Sequence, residues 1–196
     1  MASCIGNIAG NIGLNCQSPI EGGYTGRGIL IPMEAVPELT KDATNPRIIK
    51  NVAIAESAKV VMVDNEGSAP FDGSATTGNN EAGYTKFTKT IIVRLPERGA
   101  EFAAKVVEPL VKSGRGFIGI FEKVDRVGDG SFEVIGAQSP LKVVDPSTVT
   151  RTEAAAGGGA WQATLQSSEV YAESVLFDTD YATTLAKFEA LLAKAF

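Results

Sequence analysis

From Gly28 onward the chain is a succession of short β-branched runs, each ended by Gly, Pro, Asn or Asp, and only two stretches carry a helical period. No other feature constrains the fold as much. A two-residue apolar period buries one face of a sheet, whereas a helix needs apolar residues three and four apart. The runs at 28–31, 48–54, 59–63, 88–95, 117–121, 132–135, 141–144, 148–152, 161–165 and 174–177 predict strands. Asp129-Gly130 lies between two of them and supplies hairpin chemistry, so 117–121 and 132–135 are expected to pair antiparallel.

The first helical stretch, 97–112, places Phe102, Val106, Val107, Leu110 and Val111 on one stripe, with Pro109 expected to kink or shorten its end. The second, 179–196, repeats Tyr181, Leu185, Phe188, Leu192 and Phe196 at helical spacing, with Asp178 or Thr179 as the expected cap. Together these elements predict a mainly β (α+β) chain: an antiparallel β-sandwich or barrel with a central flanking helix and a C-terminal helix. At roughly 100–200 residues per domain, 196 residues make one domain.

Two segments lack either period. Residues 1–26 are rich in Gly and Asn and read as an arm, because glycine at that density costs a helix about 1 kcal/mol per residue. Residues 64–85 hold turn formers with almost no apolar period and read as a long interaction loop; loops beyond about 15 residues in a compact domain are usually functional or disordered. Asp64, Phe71, Asp72 and Tyr84 in this segment, together with Trp161, the sole tryptophan, are the expected assembly-interface residues.

Composition removes several kinds of chemistry. The absence of His excludes His-based triads, imidazole shuttles and zinc sites of the His-x-Glu type. An excess of 23 Asp and Glu over 18 Lys and Arg argues against gripping nucleic acid, whose phosphates are neutralised by cations. Cys4 and Cys16 fit no metal-ligand spacing and are expected as free thiols, with a disulfide between them as the other reading. The first cationic residue is Arg27 and no run has the apolar length of a signal core or a membrane span, so cytoplasmic synthesis and no membrane partner are expected. Ala2-Ser3-Cys4 looks like a lipoprotein cleavage site but lacks the apolar segment before it.

The motifs with chemical associations have blander explanations. Gly114-Arg115-Gly116-Phe117-Ile118-Gly119 matches a dinucleotide loop, but a helix precedes it and a strand follows, the reverse of what pyrophosphate binding needs. It reads as a helix stop. Ser139-Pro140-Leu141-Lys142 has the Ser-x-x-Lys spacing of penicillin-recognising enzymes without a helix to carry it or their companion segments. Asp178 and Asp180, near Glu169 and Glu173, read as helix capping and not as a hydrolytic pair. No catalytic residue, cofactor or metal is therefore expected.

The order of elements, with Gly128-Asp129-Gly130-Ser131-Phe132-Glu133-Val134-Ile135-Gly136 and Gly158-Gly159-Ala160-Trp161-Gln162-Ala163-Thr164-Leu165, resembles the tail tube proteins of tailed bacteriophages over residues 28–177. The resemblance implies a structural virion protein, made in the bacterial host cytoplasm, whose copies form stacked hexameric rings around a DNA-conducting lumen. Its partners would be itself, other virion proteins, and DNA that passes without specific binding, eased by acidic residues facing the lumen. The helix at 179–196 departs from that pattern. A capsid-decorating, head-fibre or head-to-tail connecting protein is the alternative. A carbohydrate-binding β-sandwich using Tyr24, Tyr84 and Trp161 is a third reading.

Overall fold

The computed structural model describes residues 23–63, 71–81, 84–95, 99–124, 126, 128–151 and 160–196. Among them are eleven strands: β1 (Tyr24–Pro32), β2 (Glu38–Lys41), β3 (Ile48–Ala53), β4 (Val61–Val63), β5 (Phe71–Glu81), β6 (Tyr84–Leu95), β7 (Phe117–Lys123), β8 (Phe132–Ile135), β9 (Thr150–Arg151), β10 (Trp161–Glu169) and β11 (Val175–Leu176). Seven form a sheet in the order β2-β3-β11-β8-β7-β1-β4, and four form a second in the order β5-β6-β10-β9. Strand pairing is antiparallel except between β3 and β11. The protein is thus mainly β and sandwich-like, with the expected hairpin between β7 and β8.

Strand alternation divides the interior into two cores, one on each side of the seven-stranded sheet. Ile29, Ile31, Ile118, Ile120, Phe132 and Val134 point one way and meet Phe188 and Leu191 of the last helix (Tyr181–Leu192). Leu30, Phe117, Phe121 and Ile135 point the other way and meet Ile91, Val93, Ala163 and Leu165 of the four-stranded sheet. Phe121 is fully buried between two glycines: a Cβ at Gly28 or at Gly119 would come within 2.5 Å of its ring. Gly119, the last glycine of the dinucleotide-like motif, therefore makes room for an aromatic ring. The central helix ends at Ser113, whose backbone is extended, and Gly116, at φ +81°, then turns the chain into β7.

The last helix starts two residues later than the sequence suggested. Asp180 is its cap, accepting from the Thr183 N–H at 2.7 Å, while Asp178 pairs with Lys187 at 3.0 Å. Phe196 lies beyond the helix end and is 89 % exposed, so it leaves the apolar stripe. The helix is also tied to the sheet by a carboxylate. Glu122, fully buried on β7, accepts from the Tyr181 hydroxyl at 2.7 Å and the Thr25 hydroxyl at 3.1 Å, and pairs with Arg126 at 3.2 Å and Arg27 at 3.5 Å. The central helix spans 100–112 and buries Val107 and Leu110. Its middle, Ala103–Val107, is a π turn immediately before Pro109. Pro109 has no N–H for the Lys105 carbonyl, and a π turn shifts the bonding by one residue in place of a sharp kink.

The long loop expected at 64–85 is corrected. Residues 71–81 form β5, paired along its length with β6 from Phe71↔Val93 to Glu81↔Tyr84. Gly, Asp and Asn are poor strand signals and outnumber the two threonines of β5, but pairing to a strand with a strong apolar period overrides local propensity. The arm expected at 1–26 is corrected at its end, where residues 24–26 belong to β1 through pairing with β7; residues 1–22, with Cys4 and Cys16, and Asp64 lie outside the described residues.

The close approach at Phe121 gives a test. Gly119→Ala should lower urea-unfolding stability by about 1–3 kcal/mol through overpacking. Gly78→Ala, where a Cβ would come no nearer than 4.0 Å to Phe87, should change it little.

Candidate assembly surface

The four-stranded sheet turns one face inward and one outward. On β6, Lys89, Ile91 and Val93 are buried, and on β10, Ala163, Leu165, Ser167 and Glu169 are buried. Their alternates, Thr88, Thr90, Ile92 and Arg94 on β6 and Gln162, Thr164, Gln166 and Ser168 on β10, form the outward face. That face is made of hydroxyls and amides. Lys86 and Arg94 are its charged members among residues 86–94 and 162–168, and neither stretch places a carboxylate on it.

The inward face is fastened by charge as well as by apolar packing. Lys89, 1 % exposed, reaches across to Glu133 of the other sheet, Nζ to Oε1 2.5 Å. The other oxygen of Glu133 accepts from the Tyr24 hydroxyl at 3.0 Å and faces Lys123 at 3.4 Å, and Lys123 also binds Glu173. Burial opposes ionisation of Glu133, but the Lys89 and Lys123 charges and the Tyr24 hydroxyl outweigh it, so the carboxyl sits below its ordinary value. Burial likewise opposes the charged form of Lys123, and its two carboxylate partners raise its pKa instead. Farther along, Glu169 accepts on one oxygen from the Gly136 N–H at 2.8 Å and the Ser167 hydroxyl at 2.9 Å. Its second oxygen is buried without a hydrogen-bond partner among the described residues.

Among the described residues one edge of this sheet is open and the other is partly covered. Among the described residues β5 pairs only with β6. β10 is flanked on its far side by β9 over Trp161 and Gln162, and by a single bridge from Lys142 to Gln166. The β5–β6 hairpin also overhangs. β10 ends opposite Phe87, so residues 79–81 and 84–86 extend past it. Thr76, Thr77 and Gly78 are exposed.

The residues expected at an interface are not brought to one place. Phe71 opens β5 opposite Val93, with Asp72 in the bulge that follows, and Trp161 opens β10 opposite Leu95. These three share one end of the sheet. Tyr84 pairs with Glu81 at the hairpin tip, the other end of β6, roughly 35 Å away at strand rise. Arg151 lies over the Trp161 ring at 5.9 Å. Tyr24 donates its hydroxyl to Glu133 and packs its ring on Phe121 at 5.6 Å, and Tyr84 and Trp161 stand at opposite ends of the four-stranded sheet. Ser139 and Lys142 are not a pair: the Ser139 carbonyl accepts from Ser167, and Lys142 donates to the Gly114 carbonyl at 2.6 Å. The buried charges were the missed residues. Their signal was phase, since Lys89 falls between Phe87 and Ile91, and Glu169 follows Leu165 and Ser167, on the apolar alternation of their strands.

Among the described residues no group of three or more Cys, Asp or Glu is placed to hold a metal ion, and no helix is long and apolar enough to cross a membrane. No protein-family model, curated protein or solved structure matches the chain.

The charge fastening is testable in two ways. Lys89→Met leaves Glu133 without its principal partner and should cost about 3–5 kcal/mol in denaturant unfolding, while Lys89→Met with Glu133→Leu should recover much of the loss. Because the folded Glu133 pKa lies below its ordinary value of 4.5, its stabilisation is present above that value and is lost as pH falls through the folded pKa. Stability plotted against pH should fall more gently on the acid side in Glu133→Gln than in the parent.

Proposed function

We propose that the chain is a structural virion subunit, a tail tube protein that assembles head to tail into rings, and that the rings stack around a lumen for DNA. The observation that carries this reading is the eleven-residue strand β5, which among the described residues pairs only with β6, in a sheet whose other side ends in the two-residue strand β9. An unpaired edge is a template for another strand. The β5 edge of one copy would meet the β9–β10 side of the next, a heterologous contact that closes into a ring if the rotation per copy allows it. Closure removes the edges and makes a continuous barrel.

In this arrangement the outward face of the four-stranded sheet lines the lumen. Its hydroxyls and amides, with Lys86 and Arg94 as the cations of 86–94 and 162–168, offer few phosphate contacts, so DNA slides without being held. This reading replaces the acidic lumen suggested by net charge with one of mostly uncharged polar groups and two cations per copy over 86–94 and 162–168. The overhanging hairpin tip lies where a neighbouring ring would meet it.

Negative-stain microscopy of purified protein should show six-fold rings or striated tubes. Persistent monomers, or trimers that attach to capsids, would contradict the reading. Lysines at Thr76 and Gly78 place charge on the exposed edge, and the space at Gly78 admits a side chain. The double variant should unfold within about 0.5 kcal/mol of the parent and fail to form rings. Ring formation equal to the parent's would exclude the β5 edge as the joining surface.

A further inference from the structure

A cleft of about 640 Å³ opens at one end of the seven-stranded sheet, next to the core under the last helix. It lies far from the four-stranded sheet's outward face. Its walls are short and mostly apolar: Pro32, Ala35, Ala53, Ile54, Ala55 and Ala58. Ala35 and Ile54 also pack on the core, so the cleft floor is continuous with the protein interior. Two large apolar side chains stand exposed at it, Val36 at 71 % and Phe196 at 89 %.

Val36 is also strained. It has φ +48° and ψ +60°, the left-handed region, and it precedes Pro37. A β-branched residue is a genuine outlier there, and a following proline restricts it further. Such strain persists only where the surroundings impose it, and it concentrates at binding sites. Here it holds an isopropyl group out at the cleft instead of folding it onto the core.

We propose that this cleft is the docking site for the N-terminal segment, residues 1–22, of a neighbouring copy of the chain. Three observations select that occupant. First, the segment carries Ile5, Ile8, Ile12, Leu14 and Ile20 with Glu21 as its sole Asp, Glu, Lys or Arg, so it brings apolar side chains with little charge to desolvate. Second, glycines at 6, 10 and 13 interrupt the isoleucines, which lets a backbone approach the alanine-lined walls closely. Third, the attachment points favour exchange between copies. Residues 1–22 join the described chain at Gly23, beside the start of β1, whereas the cleft begins at Pro32, the end of β1. The two ends are about 25 Å apart at strand rise, and β4 and β7 already occupy both flanks of β1. A chain returning to its own cleft would have to double back along a covered strand. In a copy stacked in the same orientation along β1, the cleft faces the end from which the segment starts, and 22 residues reach up to about 70 Å.

This inference rests on the assembly reading for the existence of stacked copies, and its test separates the two. The full chain would carry Ile8→Cys and Val36→Cys with Cys4→Ser and Cys16→Ser, be assembled, and be oxidised. A non-reducing gel should show a ladder of covalently joined copies. A matched control with Ile8→Cys and Glu108→Cys, on the exposed side of the central helix, should give at most one tenth as much. Rings or tubes without the ladder would overturn the docking proposal and leave the assembly reading standing. A ladder without rings would support docking and count against the ring. Cross-links confined within single copies, or equal in the control, would overturn docking between copies. In a second variant, Val36→Gly, the strain is relieved because glycine adopts positive φ freely. Its unfolding midpoint should hold or rise, while the subunit concentration needed for stacking should increase about tenfold through loss of a buried valine. An unchanged stacking threshold would contradict a role for Val36 in docking.

Discussion

The contact between Lys89 and Glu133 joins the two sheets, and the placement of everything outside them depends on it. Two β-layers packed only through aliphatic side chains can slide in register, because apolar contact has little direction. A charged pair in the dry space between them cannot, since displacing either partner leaves a buried ion unpaired. Tyr24 from β1 and Lys123 from β7 also bind Glu133, so four strands from two sheets meet at one carboxylate. That fixes which face of the four-stranded sheet is inside and which is free.

Much of the sheet content was legible because β-branched runs alternate in phase with the core. Ile29 and Ile31, Ile118 and Ile120, and Ile91 and Val93 follow a rule that needs only the period of a strand. β5 was not legible. Its Gly, Ser, Thr and Asn residues encode turns locally, and its strand state comes from β6 lying beside it. Which residue caps the last helix was not legible either: three consecutive capping residues, Asp178, Thr179 and Asp180, precede it, and only the geometry of the β11 exit chooses among them. Gly28 and Gly119 carry no signal of their purpose, because the ring they accommodate sits one strand over or two residues on.

The proposed surface was less legible than the fold. Interface residues chosen for their aromatic or acidic character are spread over both ends of the sheet, while the features that suit assembly are backbone features: an unpaired edge, an overhanging hairpin and a strained turn. Hydroxyl- and amide-rich strands look undistinguished in a sequence, yet they suit a surface that must be wet, low in charge and repeated around a ring. The acid excess of the chain resides elsewhere, for example in Glu34, Glu38, Glu101 and Glu108, all exposed. Net charge therefore says little about what the lumen of such a ring would present.

The claim that β5 is the strand through which copies join is tested most directly by hydrogen exchange at its backbone amides, compared between dispersed and assembled protein. An edge strand exchanges its outward N–H groups with solvent until a neighbour takes them as donors. Alternate amides across residues 71–81 should exchange slowly on assembly while those of β2, the edge of the other sheet, stay unchanged. Equal exchange of β5 amides in both states would show that copies join, if they join at all, through some other surface.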